Sequence, residues 1–495
     1  MRFQIFGRAR TSEPNDDVVA ILEADNWDDF GFKTTFNLQL QSKSTGKVDV
    51  GYVMIAYEGM EAGRTRDSMS QSFNELPENF YSVGTSDEYY WNLQKFSPAT
   101  MKEVLSGLRD LALDVDRFES LLKNEERNRV LFKSLLRNRK VELIRGQYHR
   151  IATEGPRFIE FSMEAPVEFD NTDRLDFNVH PSSRPPSNVH AVIGSNGVGK
   201  TYFLNRVAND AMSGKGEIWF RSLDAAVGLL NVVKVAFSPF ESDEVVDLQM
   251  GGALLRKLPC QRVGIAKKDS SENKNTDDLT KDFESYVREC VRTGKGNWLK
   301  VAFSRLQADP VLSSNEAYIL ASQADNIEVR RLTEEFSELS SGHKVVLLSL
   351  AGLAAEVDEG TLVLIDEPEN HLHPPLLSSF IRAVSELLYE RNGLAIVGTH
   401  SPVVLQEIPK DCVWKIYRSG GLSKAERPQI ETFGENVGVL TREVFGLQVT
   451  ESGFYKMLEE TVEQCSSVKE VFEAYDGRLG GEAKALVRAL MESKT

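Results

Sequence analysis

Cysteine is scarce in this 495-residue chain: Cys260, Cys290, Cys412 and Cys465 lie scattered, with no C-x-x-C pairing. That argues against a disulfide framework and against a zinc ribbon, and free thiols are expected. Uncharged apolar runs long enough for a bilayer, roughly 18 residues, are lacking too. The opening MRFQIFGRARTSEPNDD has too short an apolar part to read as a signal peptide. A cytoplasmic protein without membrane contact is expected. Basic charge is in deficit, with 58 Lys and Arg against 74 Asp and Glu and a formal net charge of -16. Such a balance disfavours a protein that coats nucleic acid non-specifically, because phosphate neutralisation needs an excess of cations at the contact.

What is present is ordinary for a globular chain, 41% hydrophobic and 27% charged, and the length allows roughly two to four domains or subdomains. Residues 1 to 60 read as strands in VVAILEA, KTTFNLQLQ and VDVGYVMIAYEG. From Pro98 to Arg139 apolar residues recur at three and four, as in a helix. A small α+β domain over 1–150 is therefore expected to precede the main one. One stretch, residues 123–150, is locally basic. On a helix its Arg129, Lys133, Arg137 and Lys140 would share one side, giving either a solvated face or a nucleic-acid contact. The polar KKDSSENKNTDDLTKD, residues 267–282, has little to bury and reads as a loop.

Chemistry begins at HAVIGSNGVGKTYFLNRV. A short apolar strand runs into Gly194, Ser195, Asn196, Gly197, Val198, Gly199, Lys200 and Thr201, and an amphipathic pattern follows. This is the P-loop spacing in its strand-to-helix context. Small residues let backbone N–H groups curl around a β-phosphate, Lys200 would reach the β- and γ-phosphates, and Thr201 would bind Mg2+. TLVLID, residues 361–366, is a continuous aliphatic run of the kind buried on both sheet faces, and it ends in Asp366 and Glu367. That is a Walker B arrangement. Asp366 would hold Mg2+, and Glu367 would polarise the attacking water. His371 and His373 lack a third and fourth ligand nearby, so a metal held by imidazoles is not expected.

Two further motifs specify the class. ELSSGHKVVLLSLAGLAAEV places Ser340, Ser341 and Gly342 at the head of an apolar helix, and LAIVGTHSP is a buried strand leading to His400. The first resembles the Leu-Ser-Gly-Gly-Gln signature of the ABC ATPase superfamily, with Ser341 and His343 as departures from it. The second resembles that superfamily's switch histidine. The Asp-Glu-Pro-Glu-x-x-Leu-His-Pro pattern from Asp366 to Pro374 resembles the OLD/Rad50/SMC-like, AAA21-type branch. The interval between Lys200 and Glu338 suits a helical lobe but not a long coiled coil, which would need sustained heptads.

The resemblance implies an α/β fold: an ABC-type P-loop ATPase head over 151–420, with a mixed sheet and a helical lobe at about 241–338. The small α+β domain precedes it, and a mainly helical docking or dimerisation region follows at 421–495. It implies ATP and Mg2+ as cofactors and Glu367 and His400 as catalytic residues. It also implies a homo-oligomer in which Ser340, Ser341 and Gly342 of one chain complete the site of another. No glutamine stands at the expected Q-loop interval near Ser238; Gln249 and Gln261 lie further on. Beyond His400 the aspartates are Asp411 and Asp476, too far apart for the Asp-x-Asp pair of a Toprim nuclease. Compact heads of this kind resemble the ATPases of prokaryotic anti-phage systems, Septu-like, retron-associated and PARIS-like. The implied function is an ATPase that restrains or activates a separately encoded effector, a nuclease by preference. The alternative is an SMC/Rad50-like ATPase of DNA repair or DNA ends.

Overall fold

The computed structural model describes residues 1–6, 18–26, 28–42, 46–137, 141–213, 217–222, 228–237, 258–266, 273–293, 295–308, 312, 329–419, 422–450 and 453–494. The architecture is mixed α/β. Its centre is a seven-stranded sheet in the order Cys260–Gly264, Asn231–Ala236, Thr361–Asp366, Leu394–Thr399, Val189–Ile193, Val413–Ser419, Leu422–Glu426. Neighbours are parallel except for the last hairpin. Parallel strands need both faces covered, and this explains their largely apolar sequences: Val189–Ile193 and Leu394–Thr399 are buried at every position. The helix Ser341–Glu356, apolar nearly all round, is buried from Val345 to Ala355. On the other face Phe203 of the helix Lys200–Ser213 stacks on Phe177. Phe177 belongs to a small antiparallel sheet, Thr172–Val179, Phe161–Phe169 and Trp219–Ser222.

A separate six-stranded sheet lies N-terminal, in the order Ser72–Phe73, Arg2–Phe6, Val18–Ala24, Thr35–Ser42, Gly46–Tyr57, Phe80–Gly84. The alternation expected of KTTFNLQLQ is observed: Phe36, Leu38 and Leu40 are buried between half-buried polar neighbours. Helices including Asp87–Phe96 and Pro98–Gly107 cover this sheet, and their apolar side chains close a hydrophobic cluster with Phe3, Phe36 and Tyr81.

Two expectations need correction. The interval 241–338 is not purely a helical lobe, because Cys260–Gly264 is an edge strand of the central sheet, held by parallel pairing to Asn231–Ala236. Of the loop expected over 267–282, residues 267–272 lie outside the described residues, and Thr276–Arg292 is a helix. A capping box between Asn275 and Asp278 starts it, and Phe283, Val287 and Cys290 bury one face. The region 421–495, expected to be mainly helical, holds the strand Leu422–Glu426 and then the helices Val437–Thr450, Gly453–Gln464, Val468–Ala474 and Gly481–Lys494.

The N-terminal unit is fixed to the ATPase sheet through buried charge. Arg150 forms two hydrogen bonds with Glu359, which precedes Thr361–Asp366. Arg391, which precedes Leu394–Thr399, donates to Asp87 at 2.6 Å. Asn392 links the same corner by donating to Glu359 at 2.7 Å and to the Arg157 carbonyl at 2.8 Å. All of these contacts lie at the N-terminal ends of the central strands.

Candidate functional site

The opposite, C-terminal edge of the same strands gathers the residues singled out by sequence. Register sets this geometry: Ile193 pairs with Thr399 and Asp366 pairs with Gly398. The P-loop therefore leaves its strand beside the chain that reaches His400, and the Walker B carboxylate ends one strand away. Open α/β sheets bind ligands at such carboxyl ends.

Within the P-loop, Gly197 and Gly199 hold φ of +80° and +103°, backbone conformations that favour glycine. Gly194 is required for a different reason: a Cβ there would stand 2.2 Å from the Ile416 carbonyl oxygen. Lys200 is buried and donates to the carbonyls of Gly194 and Ser195 at 3.0 and 3.2 Å, folding over the loop it serves. Its ammonium also lies 3.7 Å from Glu367. Thr201 donates to Asp366 Oδ2 at 2.6 Å.

Asp366 is half-buried, and burial pushes its carboxyl up to about 6 against the opposing hydrogen bond from Thr201. Its Oδ1 is buried and has no hydrogen-bond partner. Glu367 occupies the left-handed region, φ 43° and ψ 56°, and its N–H donates to the Gly398 carbonyl at 2.8 Å. A short 3-10 turn, Pro368–Asn370, follows. Asn370 donates to Glu367 Oε2 at 3.1 Å. Glu369 turns inward, accepting from Thr399 Oγ1 at 2.7 Å and from the His400 N–H at 2.6 Å. The His400 ring Nδ1 is 3.1 Å from Glu369 and 3.8 Å from Glu367.

The structure thus brings Lys200, Thr201, Asp366, Glu367 and His400 into one cluster. Ser340, Ser341 and Gly342 belong to another. Ser340 is the N-cap position of Ser341–Glu356, and its hydroxyl meets His343 Nδ1 at 2.7 Å. A Cβ on Gly342 would come 3.2 Å from the His371 carbonyl. His373 is an N-cap whose Nδ1 accepts from the Leu376 N–H at 3.4 Å, so that ring has a helix-starting role. Gln261 lies in the edge strand Cys260–Gly264, whereas Ser238 and Gln249 fall outside the described residues.

Sequence reading did not single out Gly398, where a Cβ would stand 2.8 Å from Asp366 Oδ1 and 2.9 Å from Leu204 Cδ1. The glycine two places before His400 in IVGTH was its one visible sign. The basic stretch changes character. Leu131–Leu135 is a turn of π-helix, Arg137 pairs with buried Asp29 at 2.7 Å, and Arg145 pairs with Glu119. Lys140 lies outside the described residues. Among the described members of the four-cation stripe, Arg137 is turned to Asp29.

A P-loop, a Walker B strand and a histidine-tipped strand on one mixed sheet define a P-loop ATPase of the ABC/AAA type. Residues 244–406 match the family described as "AAA domain, putative AbiEii toxin, Type IV TA system". The chain belongs to the family of protein ea59 of Escherichia phage lambda, to which it is 35% identical over 508 residues, covering 96% of this chain and 95% of that protein. Solved structures similar to it include UvrA2 from Deinococcus radiodurans, at 14% identity and a TM-score of 0.29, covering 60% of this chain and 42% of that one. A nucleotide-free ATP-binding cassette from an ABC transporter is also similar, at 14% identity and a TM-score of 0.26, covering 54% and 91%. Among the described residues no helix is long and apolar enough to cross a membrane.

Proposed function

We propose that this ATPase is a nucleotide-gated regulator of a separately encoded effector, a nuclease by preference, within an anti-phage defence module. The observation that carries the reading is a two-edged sheet. Lys200, Thr201, Asp366, Glu367 and His400 converge on the C-terminal edge, while Glu359 and Arg391 fasten the N-terminal unit to the other ends of the same two strands. A change at the phosphate edge has a short, rigid route to a partner-binding domain. The toxin description of the matching family and a phage-borne relative are compatible with such a module.

In this reading the P-loop from Gly194 to Thr201 cradles the phosphates of ATP and Lys200 pairs with them. Thr201 and Asp366 fit Mg2+, because their oxygens converge and Asp366 Oδ1 is buried without a partner. A bound Mg2+ would neutralise charge developing on the phosphates. Glu367, held by Asn370 and by its backbone, orients and polarises the attacking water, and His400 stands beside it to contact the γ-phosphate. Ser340, Ser341 and Gly342 complete the site of a second chain, where a helix N-terminus offers unsatisfied N–H groups to an anion. The exposed apolar side chains of Val437, Val439, Phe454 and Met457 supply a docking surface in the C-terminal region.

The test is Glu367→Gln. ATP turnover should fall by about 10²- to 10⁴-fold with ATP binding retained, and the activity of the copurifying effector should cease to respond to ATP. Unchanged turnover would sink the role of Glu367. An effector indifferent to the substitution would sink the regulator reading, and DNA-stimulated turnover lost on neutralising Arg129 and Lys133 would replace it with a DNA-end ATPase.

A further inference from the structure

We infer that Glu369 is a positioning residue for His400, and that the segment after Walker B aligns the catalytic groups of its own chain. This rests on the reading of His400 as a group that contacts the γ-phosphate. Two donors converge on one carboxylate oxygen, the Thr399 hydroxyl at 2.7 Å and the His400 backbone N–H at 2.6 Å, and the His400 ring Nδ1 lies 3.1 Å from the same oxygen without a hydrogen bond to it. The carboxylate is nearly buried, with 9% of its side chain exposed, whereas the His400 ring is 37% exposed. A nearly buried carboxylate that holds the backbone of His400 and stands against one edge of its ring fixes where the imidazole is carried, with the Nε2 edge left for the ligand.

The chain path explains how Glu369 gets there. Glu367 in the left-handed region turns the backbone at the end of the Walker B strand. Its N–H is tied to Gly398, and the turn Pro368–Asn370 then folds Glu369 across the end of the neighbouring strand. Two residues of one turn consequently serve the site in different ways: Asn370 holds Glu367 and Glu369 holds His400. The acidic residue two places after Glu367 is thus an internal brace.

A double-mutant cycle on ATP turnover by the full-length protein separates this role from a merely structural one. His400→Ala and Glu369→Ala should each lower kcat by about 10-fold or more, with KM for ATP changed less than about two-fold. Glu369→Ala added to His400→Ala should lower kcat no further, because the carboxylate acts through the ring. Glu369→Gln, which keeps an acceptor oxygen in place, should restore most of the rate. Retained binding of a fluorescent ATP analogue reports that each variant is folded. Additive losses, or no rescue by Gln in a variant that still binds nucleotide, overturn the role of Glu369 and leave His400 standing. A full-rate His400→Ala overturns the reading of His400 and this inference with it.

Discussion

Gly398 shows how tightly the carboxylate edge is packed. A methyl group there would meet Asp366 Oδ1 at 2.8 Å and Leu204 at 2.9 Å, with the strand buried on both sides. Neither neighbour has an easy retreat, since Asp366 is held by Thr201 and Leu204 is in the core. Gly398→Ala should therefore cost about 1–3 kcal/mol of stability and weaken Mg2+-dependent ATP binding more than Mg2+-independent binding. Titration of nucleotide with and without Mg2+ checks this, and an equal effect on both would show that Asp366 had not moved. Lys200, Thr201 and Asp366 were legible in the sequence because their motifs encode a spacing along the chain. Gly398 and Glu369 were not, because their roles depend on which strand lies beside which.

At the scale of elements, burial made the strands readable and polarity hid one helix. TLVLID and LAIVGT are mostly aliphatic because both sheet faces are covered. Thr276–Arg292 buries only a narrow face, so its polar first turn passed for loop, although the Asn275 and Asp278 capping box was present in the letters. The P-loop strand carries a pH signature. His190 is fully buried, its Nε2 3.1 Å from the Asn178 carbonyl, and burial lowers its pKa to about 3. Above the unfolded value near 6.5 the ring is neutral in both states and adds no pH dependence. As pH falls from there towards 3, the unfolded chain takes up a proton that the folded chain refuses, and stability drops by about 1.4 kcal/mol per pH unit at most. Urea midpoints at pH 7 and pH 5 should fall further apart in the parent protein than in His190→Gln, whose amide can still donate to Asn178. Equal slopes would mean the ring does not resist protonation.

Across the whole molecule, the attachment of the N-terminal unit was the least legible feature, since Asp87 with Arg391 and Arg150 with Glu359 are each more than 200 residues apart. No local pattern marks such pairs. Asp87 and Arg391 are both buried, and Arg391 lies over Trp298 at 4.2 Å, while Arg157 reaches Asp87 at 3.6 Å and Glu390 at 2.9 Å. Removing one member leaves the other charge in a low-dielectric site, so Asp87→Ala should destabilise by about 3–5 kcal/mol. Replacing both charges with apolar side chains, as in Asp87→Leu with Arg391→Met, should recover much of that loss, because the remaining cost is packing and not an orphaned ion. Equilibrium unfolding of the three proteins measures the difference. A double variant no more stable than Asp87→Ala would mean that the shape of this corner, and not its charge balance, holds the unit in place. Recovery of stability without recovery of ATP-dependent effector control would separate the two jobs of the corner: the fold tolerates any well-packed filling, whereas transmission from the phosphate edge requires the ionic one.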